Sequence, residues 1–211
     1  MKFTYFNTRL NFSEKRVILW KTLNNCFFKK YIPENSAVLE LGSGYCDFIN
    51  SIKARRKVAI DISEDMRKFA SSEVDFICGS IVDLTLFEDN EFDIVFSSNV
   101  FEHLDQEEVS LCFKQIFSKI KKGGLLIILQ PNFRYAYAEY FDDFTHKSIW
   151  SHESLSDFLT LHGFSIVKKY PKFLPLTIKS HLPTWSFLIK LYINLPIKFF
   201  GKQMLFIAQK T

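Results

Sequence analysis

The residues best suited to chemistry fall into two groups. The first is Glu40, Gly42, Gly44 and Asp61. The run Val38-Leu39-Glu40-Leu41-Gly42-Ser43-Gly44-Tyr45-Cys46-Asp47-Phe48 reads as a buried strand (Ala37 to Leu41), a tight glycine turn and the start of a helix. Gly42 and Gly44 can take backbone angles closed to other residues, and they leave room for a ligand against the main chain. Glu40 sits at the C-terminal end of its strand, the edge where open α/β sheets bind ligands. Lys57-Val58-Ala59-Ile60-Asp61 is a second short apolar strand. Asp61 at its tip has about the spacing of a carboxylate that accepts both hydroxyls of a ribose. The second group is His103 and His146. An imidazole titrates near neutral pH and can take a proton from a hydroxyl.

Two nucleoside ligands suit the first group. A dinucleotide needs the longer G-x-G-x-x-G, whose third glycine lets the helix approach the pyrophosphate. Here the third glycine's place is held by Asp47. A carboxylate there would repel a pyrophosphate but not the sulfonium of S-adenosylmethionine (SAM), which carries no phosphate. Gly42-Ser43-Gly44 alone also suits a strand-turn-helix with no ligand. Glu40 and Asp61 tilt the reading toward a nucleoside.

The elements that must position these residues follow from periodicity and punctuation. Ser13 has N-cap character, and Glu14 to Lys30 carries apolar residues at near-helical spacing. Cys46 to Lys53 is the first crossover helix. Arg55, Arg56 and Lys57 form a solvated turn, with an anion site as the alternative. Ser63 caps a helix from Glu64 to Ala70, and Val74 to Cys78 is the third strand. Asp83 is an N-cap or turn residue, and Asp93 holds a turn near the start of the strand Phe92 to Ser97. Gln106 to Lys121 is a helix closed by Lys122-Gly123-Gly124, and Leu125 to Leu129 is a strand apolar throughout, as expected with helices on both faces. Residues 131–150 are rich in rings and read as a substrate lid. Ser151 starts a helix to Leu161 that includes His152, Gly163 caps it, and Phe164 to Tyr170 and Met204 to Ala208 are strands. His162 and His181 have no acidic cluster beside them.

Residues 171–201 form an insertion before the last strand, with a helix near Thr184 to Asn194 that is apolar on most sides. Two readings stand. It packs on the domain or on a second subunit, or it lies in a membrane interface or grips a lipid-linked substrate.

Bulk composition bounds the rest. A chain of 211 residues, 47% hydrophobic, suits a single domain over 1–211 with a helical arm at 1–35. Its 24 Phe predict a core rich in rings. A net charge of +4 without a long basic run does not imply nucleic acid. Cys26, Cys46, Cys78 and Cys112 lie far apart with no C-x-x-C, so they read as reduced, mostly buried thiols of a cytoplasmic protein, peripheral at a membrane if the insertion binds one. No apolar run reaches the roughly 20 residues of a membrane span.

The stretch Val38 to Phe48, Asp61, and Phe92-Asp93-Ile94-Val95-Phe96-Ser97-Ser98-Asn99-Val100-Phe101-Glu102-His103-Leu104 together resemble the class I SAM-dependent methyltransferases. Gln130-Pro131-Asn132-Phe133-Arg134-Tyr135, Asp143-Phe144-Thr145-His146 and Phe173-Leu174-Pro175 are similar to a bacterial subgroup associated with cell-surface polysaccharide or glycolipid assembly. The resemblance implies an α/β, doubly wound, mostly parallel seven-stranded sheet of Rossmann-like type, with an antiparallel last strand and SAM as cofactor. It places Glu40, Gly42, Gly44 and Asn99 near the methionine part, Asp61 at the ribose, and Ser80 and Ile81 at adenine, with Ile62 also among the cofactor-binding residues. Ser80 stands where the family commonly has Asp. Some relatives hold a divalent ion with E-x-x-E-H; here Asn99 replaces the first Glu, so no metal is assigned. The implied reaction is methylation of a sugar hydroxyl in a glycan or glycolipid precursor. A quinone-like acceptor and a non-catalytic SAM-binding role are the alternatives. His103 is either a base or a structural hydrogen-bonding group; His146 is a base or substrate contact. An oligomer is compatible with all of these.

Overall fold

The computed structural model describes residues 12–175, 185–196 and 198–211. His181, Lys179, Thr184 and residues 1–11 of the N-terminal arm lie outside them. Seven strands form one sheet: β1 (Ala37–Leu41), β2 (Arg56–Asp61), β3 (Val74–Cys78), β4 (Phe92–Ser98), β5 (Ile120–Pro131), β6 (Phe164–Leu174) and β7 (Gln203–Lys210). Their order is β3-β2-β1-β4-β5-β7-β6. The first five pair in parallel, and β7 runs antiparallel to both β5 and β6. The doubly wound sheet with a reversed last strand is therefore as expected.

Alternation along the strands sorts side chains to the two faces. Leu39, Leu41, Val58, Ile60 and Val95 pack with Val109, Phe113 and Leu155, from helices α3 (Gln106–Lys119) and α5 (His152–Leu161). Val38, Ala59, Ile94 and Phe96 pack on the other face, against α1 (Glu14–Cys26) and the short α2 (Asp47–Ser51). The ring-rich core is real on this second face. Phe48 stacks on Phe96 at 3.6 Å, and Trp20 meets both edge-on at 5.7 Å. Such pairs add about 0.5–1.5 kcal/mol beyond the area they bury.

Several boundaries differ from expectation. The helix after Ser63 is a 3-10 turn, Glu64–Phe69, and Ser63 makes no side-chain cap. Helix α3 ends at Lys119, before the glycines. Gly123 and Gly124 instead lie within β5, where the register with β4 shifts. Gly123 takes φ +78°, and a Cβ on Gly124 would meet the Asp93 carbonyl oxygen at 2.8 Å. The left-handed backbone at Gly123 and the crowding at Gly124, not a helix cap, need these two residues. Lys57 is not part of a solvated turn: it is buried in β2, with Nζ 2.7 Å from Glu73. Asp93 lies within β4 and ties neighbouring strands rather than a turn, accepting from Ala37 N at 2.7 Å and from Lys121 Nζ at 2.7 Å. Only Cys46 and Cys112 are buried; Cys26 is half-buried and Cys78 exposed.

The segment 131–150 mixes buried and exposed rings. It forms α4 (Phe133–Ala136) and a 3-10 turn, Tyr140–Asp142. Tyr140 and Trp150 are core residues, whereas Tyr137, Phe141 and Phe144 are exposed. The Tyr140 hydroxyl donates to the Ser148 carbonyl at 2.7 Å, and Trp150 Nε1 donates to Ser148 Oγ at 2.8 Å. In the insertion, helix α6 (Ser186–Asn194) packs one side against α1, with Thr22 Oγ1 and Ser186 Oγ hydrogen-bonded at 3.2 Å.

Candidate active site

The glycine turn joins the tips of β1, β2 and β4. Gly42 and Gly44 take φ +64° and +50°, and Cys46 follows at +57°. Gly42 N donates to the Ile60 carbonyl at 2.8 Å, and Gly44 N donates to Asp61 Oδ2 at 2.8 Å. The second Asp61 oxygen accepts from Ser63 N at 2.9 Å. Asp61 therefore locks the turn to β2, and each oxygen keeps a further lone pair for a ligand hydroxyl. The Gly44 N–H is already used, so a ligand meets the surface of the turn and not that donor. A Cβ on Gly42 would stand 2.5 Å from Val100 Cγ2, which shows how closely the residues after β4 press on the turn.

Glu40 points to the α1–α2 face and accepts from Ile49 N at 3.2 Å. Burial raises its carboxyl well above the ordinary range, and Asp47 and Asp61 push it further. Burial also raises Asp47 and Asp61 themselves. Sequence reading missed the counter-charge. Arg16 of α1 reaches Asp47 Oδ2 at 2.8 Å, and both side chains are largely buried. Three carboxyls against one guanidinium still leave acidic groups in excess beneath the turn. That donor set fits a cationic ligand and opposes a pyrophosphate.

Ile62, Ser80 and Ile81 stand beside Asp61 on the β3 side. Gly79 N donates to the Asp61 carbonyl at 2.9 Å. Ile62 is exposed and Ile81 buried, while Ser80 Oγ accepts from Val82 N at 3.4 Å within its own turn. Asn99 follows β4 at φ +55°, with its Oδ1 accepting from Gln203 Nε2 at 2.7 Å. Its side chain is thus engaged by the last strand.

His103 and His146 are far apart in sequence and adjacent in space, with ring centroids 4.9 Å apart. His103 ends the 3-10 turn Phe101–His103 after β4, and His146 comes from the 131–150 segment. The Glu102 carbonyl accepts from Lys147 N and Ser148 N at 2.8 and 3.1 Å, stitching the two segments together. Thr145 Oγ1 donates to Asp143 Oδ1 at 2.5 Å and lies 2.9 Å from His103 Nδ1. A hydroxyl has one proton, and here Asp143 receives it. Nδ1 of His103 must then be the protonated nitrogen, and Nε2 carries the lone pair. Burial, then His146, lowers the His103 pKa, so the ring is neutral near pH 7. Burial pushes Asp143 up, but Thr145 and the two histidines more than offset this and hold it below the ordinary range.

Glu102 lies under this pair. It is fully buried, neither carboxyl oxygen has a hydrogen-bond partner among the described residues, and burial raises its pKa to about 8. Glu102, His103 and His146 offer ligating atoms within 4.8 Å of one another. Two imidazoles and a carboxyl could take a divalent cation. Asn99, which stands where some relatives carry a further Glu, is turned to Gln203 and adds no ligand to this set. The other two described histidines pair within the fold: His152 Nδ1 with Asn132 Nδ2 at 2.9 Å, and His162 Nδ1 with the Phe158 carbonyl at 2.9 Å.

Comparison with known proteins agrees with this geometry. Residues 39–128 match a methyltransferase domain family. A solved SAM-dependent methyltransferase from Archaeoglobus fulgidus superposes with a TM-score of 0.69 at 24% identity, over 92% of this chain and 94% of that one. An uncharacterized protein of Methanocaldococcus jannaschii is 28% identical over 165 residues, 77% of this chain and 69% of the relative. Phosphoethanolamine N-methyltransferase of Plasmodium falciparum is 29% identical over 106 residues, 46% of this chain and 40% of that enzyme. The chain thus has the fold of the solved SAM-dependent methyltransferases, residues 39–128 match the methyltransferase domain, and these matches imply S-adenosylmethionine as the cofactor.

Proposed function

We propose that this protein methylates a hydroxyl group, on a sugar of a surface glycan or glycolipid precursor, with His103 as the base. SAM supplies an activated methyl carbon and a good leaving group. Asp61 would hold the ribose, with Ile62 and Ile81 against adenine and the Ser80 hydroxyl and Ile81 amide at its edge. Glu40, with Gly42, Gly44 and Asn99, would surround the methionine part, where the acidic surplus favours the sulfonium. What the residues must add is position and proton removal.

The observation that carries the hydroxyl reading is the hydrogen-bonded line Asp143–Thr145–His103. It fixes the tautomer that leaves the basic lone pair on Nε2 and stabilises the imidazolium formed when a proton is taken. His146 beside it serves as the substrate contact. The exposed rings Tyr137, Phe141 and Phe144 on the same segment support a sugar, since aromatic faces stack on the apolar faces of sugars. The test is turnover of methyl-labelled SAM on glycans from a strain lacking the protein, with phosphoethanolamine assayed alongside. Label in the glycan, lost in His103→Gln, supports the reading. Label in phosphoethanolamine alone moves the acceptor to an amine, and SAM binding without any turnover rejects catalysis.

A further inference from the structure

The C-terminal quarter of the chain is electrically unlike the rest. Residues 158–211 contain eight lysines and no Asp or Glu, so residues 1–157 hold the other 19 basic residues against all 23 acids. A chain of net +4 is thus divided into an acidic body and a basic end. The basic end also carries an exposed apolar face. Trp185, Phe187, Leu191, Phe199 and Phe200 are each 60–73% exposed, and Leu195 is 39% exposed. Phe187, Leu191 and Leu195 repeat every fourth residue along α6 and its end, so they share one side. The opposite side, with Ile189, Tyr192 and Ile193, packs on the core and on α1. Lys198 Nζ donates to the carbonyls of Tyr192, Ile193 and Leu195 at 2.6 Å each. That bond set ties Lys198, which precedes Phe199 and Phe200, to the end of the helix.

We propose that this face docks on an anionic lipid bilayer. Charge complementarity selects that occupant. Lys190 lies exposed on α6 among the apolar residues, and the adjoining α1 region presents Lys21, Lys29 and Lys30, with no acid between Lys15 and Pro33. Rings and leucines enter the headgroup region while lysines meet lipid phosphates. The helix lies on the surface: nine residues span about 14 Å, against about 30 Å of hydrocarbon, and no described helix is long and apolar enough to cross. Topology also gives docking a consequence. Leu174, where the insertion leaves β6, and Pro131, where β5 ends, both pair with Gln203, where β7 begins. The insertion therefore rises from the sheet edge that carries the glycine turn and the two histidines. A docked molecule holds the mouth of its site beside the bilayer, within reach of a lipid-linked acceptor.

The test is flotation of the purified chain with vesicles of phosphatidylcholine alone and of equal parts phosphatidylcholine and phosphatidylglycerol. The chain should float with the anionic vesicles, less with the neutral ones, and less as salt is raised. Phe199→Ser/Phe200→Ser and Phe187→Ser/Leu191→Ser should each weaken binding at least about tenfold while still binding SAM, which shows that they fold. Equal flotation on both vesicles, none on either, or unchanged variants would overturn the proposal. So would a dimer abolished by the same substitutions without any lipid binding, which assigns the face to a second copy. None of these outcomes depends on the acceptor, so this inference and the sugar reading fail separately.

Discussion

At the scale of single residues, the account turns on His103. Removal of a general base costs about 10² to 10⁴ in rate. His103→Gln should therefore lower kcat by at least about 10² and leave SAM affinity unchanged, because the ring is no part of the nucleoside site. Thr145→Val breaks the link to Asp143 and should lower kcat less, about tenfold, through a mixed tautomer. Rate should rise with pH and level off, since the neutral ring is the active form. With the pKa lowered by burial, the fall in rate belongs below pH 6.5. A rate that drops as pH rises from 6 to 8 would contradict the role, and activity abolished by EDTA and restored by magnesium or manganese would reassign Glu102, His103 and His146 to a metal.

Glu102 makes a separate prediction about stability. Its carboxyl binds a proton more tightly in the folded protein, at about 8, than its ordinary value of 4.5. The contribution is fully present below pH 4.5 and is lost as pH rises through about 8. Glu102→Gln has no charge to bury and should lack that slope. The two melting temperatures should be similar at pH 5, with the variant the more stable above pH 8. Parallel curves would mean that the carboxyl is not buried uncharged.

Among the elements, the glycine turn is where sequence and structure meet most closely. Gly42 takes a left-handed φ and abuts Val100. Gly42→Ala should cost about 2 kcal/mol or more from strain and overpacking, measured by denaturant unfolding. Adding Val100→Ala should recover the steric share only. The turn, Asp61 and every strand were legible because the signals are local: apolar runs, glycines and terminal carboxylates. Segments whose shape depends on distant partners were less legible. The ion pair of Arg16 with Asp47 spans α1 and α2 and leaves no periodic trace. The Gly123-Gly124 pair has the composition of a helix cap, but the setting of Gly124, under the Asp93 carbonyl, is tertiary. The 131–150 segment looks uniformly aromatic, and only packing separates buried Tyr140 from exposed Phe144.

For the whole molecule, five parallel strands bring their C-terminal tips to one edge, and that edge collects residues as distant as Glu40, His103, His146 and Gln203. Both histidines were visible in the sequence as candidates. That they touch, and that Thr145 fixes which nitrogen is basic, required the fold. The carboxylates Glu40 and Asp61 could be read earlier because β1 and β2 are neighbours in sequence and in the sheet. The claim beneath all of this is that the edge binds an adenosyl sulfonium and not a phosphate-bearing dinucleotide. Titration calorimetry of the purified chain against SAM and NAD tests it most directly. The account predicts saturable SAM binding, weakened at least about tenfold by Asp61→Asn, and no NAD binding. Uptake of NAD with no response to millimolar SAM would contradict it.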